Sequence, residues 1–559
     1  MNVINSLITG YENTELLRYD EIPASFPGLV AWEDLPVRAV KGVLKANYRV
    51  KDKLMQLYSD EENHVGVIAA TRLGKTTSYI IPTILSFARQ KEKRSMVITD
   101  PKGEIYRATA ETLRREGYRI RLINFRDRMK SEFWNPLTPI YRAYLRAQNV
   151  EDEVELVEVN GVKKNRFMGV VYDNQRKLDE AIEAQRRMML DDVSGKVDDL
   201  ASMIVTVPAD DDEIWNYGAR DLFKAVLFGM LEDIDSLTNP ITEETFSIST
   251  ALRIIDAIDV GSEGKVEDMG FFSERSEGSK ALELAQNIIL STARGTRSSY
   301  YTTLVSKLTE YREITTRTIT SCNSFEISDI CKEEPVAVFI DFRDEIKSYY
   351  QTIALFVQDM YKGLIEAANQ RQNGKLEHPW YFILDEFGNF PKIKDFETVI
   401  SACAGRNIWF VLVLQSYAQL DNVYGQNTAK IIRDNLNVSV FFGSNNYETL
   451  KAFSEECGEF TRFSPTNALH GEGREIDQYH LETIPRIPKS MLSSFEAGEC
   501  VVREVNKRYV MFSKLERCFT CEEMASLPKS DESTYRCEIN PLDKKYIYTL
   551  KRRGVKKRW

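Results

Sequence analysis

A short run at residues 69–76, AATRLGKT, combines the residue types that bind a chain of phosphates. Successive backbone N–H groups of such a loop point at phosphate oxygens, and a following helix adds its N-terminal dipole. Gly74 lets the backbone come close, Lys75 neutralises β and γ oxygens, and the Thr76 hydroxyl is a ligand for Mg²⁺. The run predicts a P-loop with Ala69 where the first glycine usually stands. Its predicted phosphate-binding residues are Ala70, Thr71, Arg72, Leu73, Gly74, Lys75, Thr76 and Thr77.

Two adjacent carboxylates, Asp385 and Glu386, end the apolar run YFIL, as in a Walker B site. The first acid of such a pair holds Mg²⁺ through its water shell, so Asp385 and Thr76 are the predicted metal-binding residues. The second acid, Glu386, is predicted to be the general base that polarises the attacking water. A solvated strand end is the alternative interpretation, and the accompanying P-loop disfavours it. Together the two motifs predict a site that hydrolyses ATP with Mg²⁺.

Two further polar residues are candidates for catalysis. Gln415 follows the apolar run IWFVLVL, where its amide can bond to the γ-phosphate and to the lytic water. Arg406 lies in the loop before that run and is predicted to reach across a subunit boundary as an arginine finger. An ordinary surface arginine is the alternative for Arg406. The predicted catalytic residues are thus Lys75, Glu386, Gln415 and Arg406.

Elements of an α/β fold must position these residues. The runs HVGVIAA, SMVITD, VAVFIDF, YFILDE, IWFVLVLQ and VSVFFG are nearly continuously apolar, as strands buried on both faces must be. Helical patterns alternate with the first of them, which predicts a mostly parallel sheet. From about residue 176 to 330 a 3.6-residue period dominates, with Trp215, Ala219, Leu222, Val226 and Met230 on one helical face. An all-α insertion is therefore predicted to split the sheet.

Composition narrows the class of protein. The 559 residues are 43% hydrophobic and 28% charged, close to the globular average, which disfavours a disordered or fibrous chain. Scattered cysteines without a signal peptide predict reduced thiols, and the close pair Cys518 and Cys521 lacks zinc spacing. No stretch approaches the roughly 18 to 20 apolar residues that cross a bilayer. The net charge of −10 disfavours a uniformly basic nucleic-acid coat and leaves a local basic stripe open.

The order of these motifs resembles the type IV coupling proteins of bacterial conjugation, which are RecA-like hexameric motors. The resemblance spans about residues 64 to 515 and rests on more than the ATP site. Its other motifs are Asp100-Pro101-Lys102-Gly103-Glu104, Trp134-Asn135-Pro136-Leu137, Asp385-Glu386-Phe387 with Pro391, Gly405-Arg406-Asn407, Gln415-Ser416, Gln419-Leu420, Tyr424-Gly425 and the segment FFGSNNYETLKAFSEECGE. It implies a RecA-like P-loop NTPase core, and it gives the all-α insertion a part in recognising substrate. Members of this family usually carry N-terminal transmembrane helices, and this sequence contains no stretch of that kind. We therefore expect a soluble variant, a shortened chain or a chain tethered by a membrane partner.

The predicted segments follow from these patterns. They are an N-terminal arm (1–60), the first part of the nucleotide-binding domain (61–140), a hairpin and linker (141–175), the all-α domain (176–330), the second part of the nucleotide-binding domain (331–525) and a basic tail (526–559). Asn160-Gly161, between β-rich flanks, predicts a type I′ hairpin turn. The basic residues from Lys551 to Trp559 are candidates for contact with DNA phosphates or anionic headgroups, or for a solvated tail.

The resemblance implies an ATP-driven coupling protein that recruits a DNA–protein relaxosome substrate and drives DNA through a type IV secretion channel. Its implied partners are DNA, expected as a single strand with a relaxase, the channel components, a membrane-anchoring protein and further copies of the chain in a hexamer. The implied location is the bacterial cytoplasm at the inner face of the cell membrane. An FtsK-type DNA translocase has the same core, and a non-catalytic platform that binds nucleotide and docks cargo is a third hypothesis.

Overall fold

The structure is a computed structural model. It describes residues 15–18, 28–159, 162–207, 213–234, 236, 240–258, 270–272, 275–289, 293–332, 335–468, 476–531, 535–537, 539–541 and 544–546. These residues fold into two compact units. The first contains the described residues of Met1–Arg126, Glu326–Tyr350 and Val357–Tyr535, and the second those of Asp127–Phe325, Gln351–Phe356 and Arg536–Trp559.

Strands β8 to β10 belong to the second unit and all other described strands belong to the first. In chain order they are β1 (Glu15–Arg18), β2 (Leu29–Ala31), β3 (Leu44–Val50), β4 (Lys53–Tyr58), β5 (Val65–Ala69), β6 (Ser95–Asp100), β7 (Arg119–Asn124), β8 (Glu155–Val159), β9 (Val162–Phe167), β10 (Val170–Tyr172), β11 (Val336–Asp341), β12 (Trp380–Leu384), β13 (Ile408–Leu414), β14 (Val438–Gly443), β15 (Glu459–Ala468), β16 (Ile476–Pro485), β17 (Glu499–Glu504) and β18 (Tyr509–Lys514).

The main sheet of the first unit has the strand order β1-β18-β17-β14-β5-β13-β12-β6-β11-β7. The strands from β14 to β7 in this order are parallel, as the apolar runs predict. Strand β17 is antiparallel to both β14 and β18, so β18 runs in the same direction as β5. The carboxyl ends of β18, β14, β5, β13 and β12 therefore meet at one edge of the sheet.

Helices cover the parallel strands of the first unit. They are Ile81–Arg89, Glu104–Arg115, Ile327–Ile330, Tyr349–Asn369 for most of its length, Phe396–Cys403, Tyr417–Tyr424, Gln426–Asp434, Tyr447–Glu456, Lys489–Leu492 and Glu522–Ala525. Successive side chains of β5 enter different apolar clusters: Val65 and Val67 pack in one, and Ile68 packs in another. Both faces of the strand are thus buried, which explains its continuously apolar sequence.

The predicted N-terminal arm differs from what is observed. Residues 28–58 form a three-stranded antiparallel sheet in the order β2-β4-β3 instead of an extended arm. Its side chains Leu44, Leu57 and Tyr58 are fully buried in the same apolar cluster as β5. The short apolar clusters of this region pair with one another, which satisfies their backbone N–H and C=O groups.

The second unit is mostly helical in its described part. Its helices are Thr138–Gln148, Gln175–Ile204, Glu213–Glu232, Ile248–Asp256, Lys280–Ile289, Arg294–Lys307 and Ile314–Ile319. Four of the five residues predicted on one helical face, Ala219, Leu222, Val226 and Met230, are buried on Glu213–Glu232, whereas Trp215 near its start is half-buried. This unit begins near residue 127, before the predicted start at 176, because its first helix and the sheet β8–β10 pack with the long helix Gln175–Ile204.

Two predicted features lie partly or wholly outside the described residues. Strands β8 and β9 pair antiparallel with Val159 opposite Val162, which leaves two residues to join them. Those two residues, Asn160 and Gly161, are outside the described part, and so is the proposed type I′ turn. The basic residues from Lys551 to Trp559 are also outside it.

Candidate functional site

The P-loop connects β5 to a helix at the carboxyl edge of the sheet. Arg72 and Gly74 adopt left-handed backbone angles, with φ of 70° and 89°. The helix then begins with a π-helical segment, Lys75–Ile80, that continues into the α-helix Ile81–Arg89. A Cβ atom on Gly74 would stand 3.1 Å from Ser78 Oγ, so both its backbone angle and its surroundings favour glycine. The helix start thus presents N–H groups at this edge, as a phosphate site needs.

Ala69, the departure from the usual pattern, is the last residue of β5 and lies outside the left-handed region. Its methyl group is buried, and the next residue, Ala70, donates its backbone N–H to the carbonyl of Gly443 at 2.9 Å. A positive φ is the condition under which a Cβ is costly here, and this condition does not arise. The alanine is therefore compatible with the loop.

The Walker B carboxylates meet the P-loop lysine. Lys75 Nζ lies 2.9 Å from Asp385 Oδ1 and 2.5 Å from Glu386 Oε1. Glu386 has a left-handed φ of 58° and donates its backbone N–H to Asp385 Oδ1 at 2.9 Å. On the neighbouring strand β6, the Thr99 hydroxyl donates to the Asp385 carbonyl at 3.0 Å. Motifs that are distant in sequence thus share one point at the sheet edge.

Burial and charge set the protonation of these groups. Burial raises the pKa of the Asp385 carboxyl, and the Lys75 ammonium opposes that rise. Burial alone would lower the pKa of Lys75, but the carboxylates of Asp385 and Glu386 outweigh it and raise the pKa. Lys75 is therefore a stable cation at neutral pH. Asp100, at the end of β6, has its pKa raised to about 6, chiefly by burial.

A network of amide side chains holds Glu386. Gln415 Nε2 donates to Glu386 Oε2 at 3.1 Å, and Asn389 Nδ2 donates to the same oxygen at 3.0 Å. Gln419 Oε1 accepts the Gln415 backbone N–H at 2.9 Å. A Cβ on Gly388 would stand only 2.4 Å from Gln419 Oε1, so glycine makes room for this amide. Gln415 directly follows β13, at the strand end that the sequence predicts, and β13 lies between the P-loop strand β5 and the Walker B strand β12.

Sequence reasoning did not single out Asn389, which donates to Glu386, or Gly388, which packs against Gln419. Both lie just after Asp385-Glu386, and Gln419 lies one helical turn after Gln415. A carboxylate placed as a base needs donors that orient it, so polar residues within one turn of each motif were the available signal.

A family model described as type IV secretory system conjugative DNA transfer matches residues 30–473 of the chain. The chain belongs to this family. Among curated relatives, VirD4 of Agrobacterium fabrum is 22% identical over 424 residues, covering 75% of this chain and 53% of VirD4. The conjugal transfer protein TraG of Escherichia coli is 24% identical over 432 residues, covering 75% of this chain and 59% of TraG. The chain thus spans little more than half the length of these relatives.

Solved structures of the coupling protein TrwB have a similar fold. Its complex with the non-hydrolysable ATP analogue ADPNP gives a TM-score of 0.56 at 14% identity, covering 90% of this chain and 93% of TrwB. Its complex with ADP and Mg²⁺ gives a TM-score of 0.52 at 15% identity, covering 87% and 92%. At this identity the likeness shows the RecA-like α/β fold.

Arg406 is the predicted catalytic residue that this coupling-protein fold does not bring to the site. It precedes β13, whereas Gln415 follows that strand. Seven residues at about 3.3 Å each separate the two ends by roughly 23 Å. The Arg406 guanidinium donates instead to Asn369 Oδ1 at 3.2 Å and to the Ala402 carbonyl at 3.0 Å. Within one chain Arg406 is therefore remote from Lys75 and Glu386.

The donor set at the site suits Mg²⁺. Thr76 follows Lys75 directly and is almost fully buried, and Asp385 supplies a buried carboxylate at the same edge. Hydroxyl and carboxylate oxygens are the hard ligands that this ion prefers. Among the described residues, no group of three or more His, Cys, Asp or Glu side chains forms a metal site, and this holds around Cys518 and Cys521.

No helix in the described part of the chain is long and apolar enough to span a bilayer.

Proposed function

We propose that the chain is an ATP-hydrolysing coupling protein that recruits a DNA–protein substrate and drives DNA transfer through a type IV secretion channel. The observation that carries the proposal is the convergence of Lys75, Asp385, Glu386 and Gln415 at one edge of a RecA-like sheet. Membership of the conjugative DNA transfer family supports the biological setting.

In this proposal ATP is the substrate and each side chain has a distinct task. Lys75 neutralises phosphate charge, and the P-loop residues from Ala70 to Thr77 hold the phosphate chain. Thr76 and Asp385 hold Mg²⁺, which when bound neutralises phosphate charge and so favours attack by water. Glu386 accepts the proton of that water at its carboxylate, and Gln415 together with Asn389 fixes the orientation of the carboxylate.

The position of Arg406 fits a role in trans within the same proposal. Because it lies at the opposite edge of the sheet, it reaches a triphosphate only if a neighbouring copy presents it. A ring of copies, proposed as a hexamer, would place it at the adjacent ATP site as an arginine finger. A relaxase bound to single-stranded DNA, the secretion channel and a membrane-anchoring protein at the cytoplasmic face are the proposed partners, and the second unit is proposed to recognise the cargo.

Glu386→Gln tests the enzymatic core of this proposal. It removes the base and keeps the shape, so we expect ATP binding to persist while kcat falls at least about 100-fold. Glu377→Gln is the matched control, because Glu377 is an exposed carboxylate before the other end of β12. ATP hydrolysis is measured on size-separated oligomers with and without single-stranded DNA. A Glu386→Gln variant as active as wild type would exclude Glu386 as the base.

The same assay separates a motor from a platform. A rate that rises with DNA and is confined to the ring-sized fraction supports translocation. Saturable ATP binding without turnover in the wild-type chain would replace this proposal with a cargo-docking platform.

A further inference from the structure

The turn that follows β18 lies against the P-loop. Cys518 donates its backbone N–H to the Thr77 carbonyl at 2.8 Å. Arg517 Nε lies 4.0 Å from the position that a Cβ would take on Gly74. The predicted phosphate-binding loop therefore has a neighbour from the C-terminal part of the chain, which carries an arginine.

The strand order shows from which side Arg517 approaches. Strand β5 has β13 and then β12 on one side, and β14, β17 and β18 on the other. Asp385 and Glu386 follow β12, whereas Arg517 follows β18, which runs in the same direction as β5. Lys75 reaches toward the β12 side, as its ion pairs show. Arg517 thus borders the loop on the side opposite the general base.

The charge of Arg517 is available for an anion. The side chain is half-buried, and among the described residues no carboxylate lies within 4.0 Å of its guanidinium. Its neighbour in the turn is the ring of Phe519, whose centroid lies 5.6 Å from the guanidinium carbon. Phe519 is 54% exposed. A guanidinium beside an exposed aromatic ring combines a phosphate ligand with a surface on which a base can stack.

The turn is held firmly in place. Glu516 donates its backbone N–H to Asn47 Oδ1 at 2.6 Å, and the Arg517 carbonyl accepts the backbone N–H of Cys521 at 3.0 Å. Cys521 is fully buried in the main apolar cluster, and Cys518 packs against that cluster. The two cysteines of the Cys-x-x-Cys spacing thus anchor the turn. Phe519 and Thr520, which lie between them, are exposed, and Arg517, which precedes Cys518, is half-buried.

We propose that Arg517 binds the α-phosphate of the nucleotide and that Phe519 stacks on its base. This inference rests on the proposed function, because it extends the same ATP site. It assigns the γ-phosphate end to the β12 side and the base end to the β18 side. The backbone N–H groups of a P-loop cradle the α- and β-phosphates while its lysine reaches the β- and γ-phosphates, which agrees with an α-phosphate ligand on the other side of the loop from Glu386.

Binding of ADP, ATP and inorganic tripolyphosphate to the full chain, measured by calorimetry, tests the inference. Arg517→Gln keeps part of the aliphatic stem and removes the charge, and we expect it to weaken ADP binding about tenfold or more. Arg508→Gln is the matched control, because Arg508 is exposed and precedes the other end of β18, and it should bind ADP like wild type. Phe519→Ala should weaken ATP binding severalfold and leave tripolyphosphate binding unchanged.

The possible outcomes are distinct. Arg517→Gln and Phe519→Ala variants that bind ADP and ATP within twofold of a nucleotide-binding wild type would overturn the inference and leave the proposed function standing. A wild-type chain that binds neither nucleotide would refute the proposed function itself. Because Phe519 is exposed, its truncation leaves the core intact and gives a readout even if the Arg517 variant folds poorly.

Discussion

The packing of Gly388 against Gln419 gives a prediction whose size follows from the structure. A methyl group at position 388 would stand 2.4 Å from Gln419 Oε1, 2.7 Å from its Cδ and 2.9 Å from its Cβ. Because the Cβ of Gln419 is also too close, rotating the amide away does not relieve the clash. The whole side chain must move, and the hydrogen bond from the Gln415 backbone to Gln419 is lost.

The expected cost can be worked out from this contact. Gln415 loses one support and its amide no longer holds Glu386 at a fixed angle. The loss of one hydrogen bond together with the misplaced base costs about 1–2 kcal/mol in the transition state. At 1.4 kcal/mol per factor of ten, Gly388→Ala should therefore lower kcat roughly 5- to 30-fold. The Kd for ATP should hardly change, because the three atoms nearest the added methyl group all belong to Gln419, which is not a predicted phosphate ligand.

Steady-state ATPase kinetics of a double-mutant cycle provide the assay. Gln419→Ala removes Oε1 and Cδ, the two atoms nearest the added methyl group, and keeps only the Cβ at 2.9 Å, so adding Gly388→Ala to it should cost less than adding it to the wild type. Gly195→Ala is the control, because a Cβ at Gly195 meets nothing within 4 Å. Additive effects in the cycle, or a Gly388→Ala variant with wild-type kcat, would refute the proposal that the Gln419 amide positions Gln415 and, through it, Glu386.

Two further predictions concern charge. Lys75→Ala should weaken binding of a fluorescent ATP analogue at least about tenfold, because the ammonium that pairs with Asp385 and Glu386 is predicted to neutralise β and γ phosphate oxygens; binding within twofold of wild type would contradict its role. The folded pKa of Asp100, about 6, is above its ordinary value of 3.8, so the folded state binds more protons in this window. The free energy of unfolding should therefore fall as pH rises from about 4 to about 6. Asp100→Asn should lack that fall. The urea midpoint of the variant minus that of the wild type should therefore rise across this range, and a difference independent of pH would contradict the raised pKa of Asp100.

Sequence motifs predicted four side chains that the structure brings together, Lys75, Asp385, Glu386 and Gln415, and they did so for a physical reason. Buried parallel strands are continuously apolar, so the polar residues that end them stand out, as Asp385 and Gln415 do. The carboxyl ends of such strands meet at one edge, and the order of β5, β13 and β12 brings Lys75, Gln415 and Glu386 together. Asn389 and Gly388 do not stand out in this way, because they lie in the helical turn Phe387–Asn389 after the strand, where polar residues and glycine are ordinary.

The N-terminal segment shows a different limit on what the sequence alone can predict. Its short apolar clusters and prolines look like an arm, but Lys45 on β3 is buried and pairs with Glu504 on β17 at 2.9 Å. A buried ion pair between residues so distant in sequence has no local pattern. Only the fold reveals that residues 28–58 are part of the core of the first unit.

The order of strands along one sheet edge also gives the proposed nucleotide a direction. From β18 to β12 this edge carries Arg517, then the P-loop, then Gln415, then Asp385 and Glu386. A triphosphate held by the P-loop with its γ end at Glu386 must point its base toward the other side, where Phe519 is exposed. The antiparallel pair β17 and β18 is therefore more than an edge extension of the sheet. It returns the chain to the carboxyl edge. Arg517, near the C-terminal end of the first unit, therefore lies beside the P-loop, which comes much earlier in the sequence of the same unit.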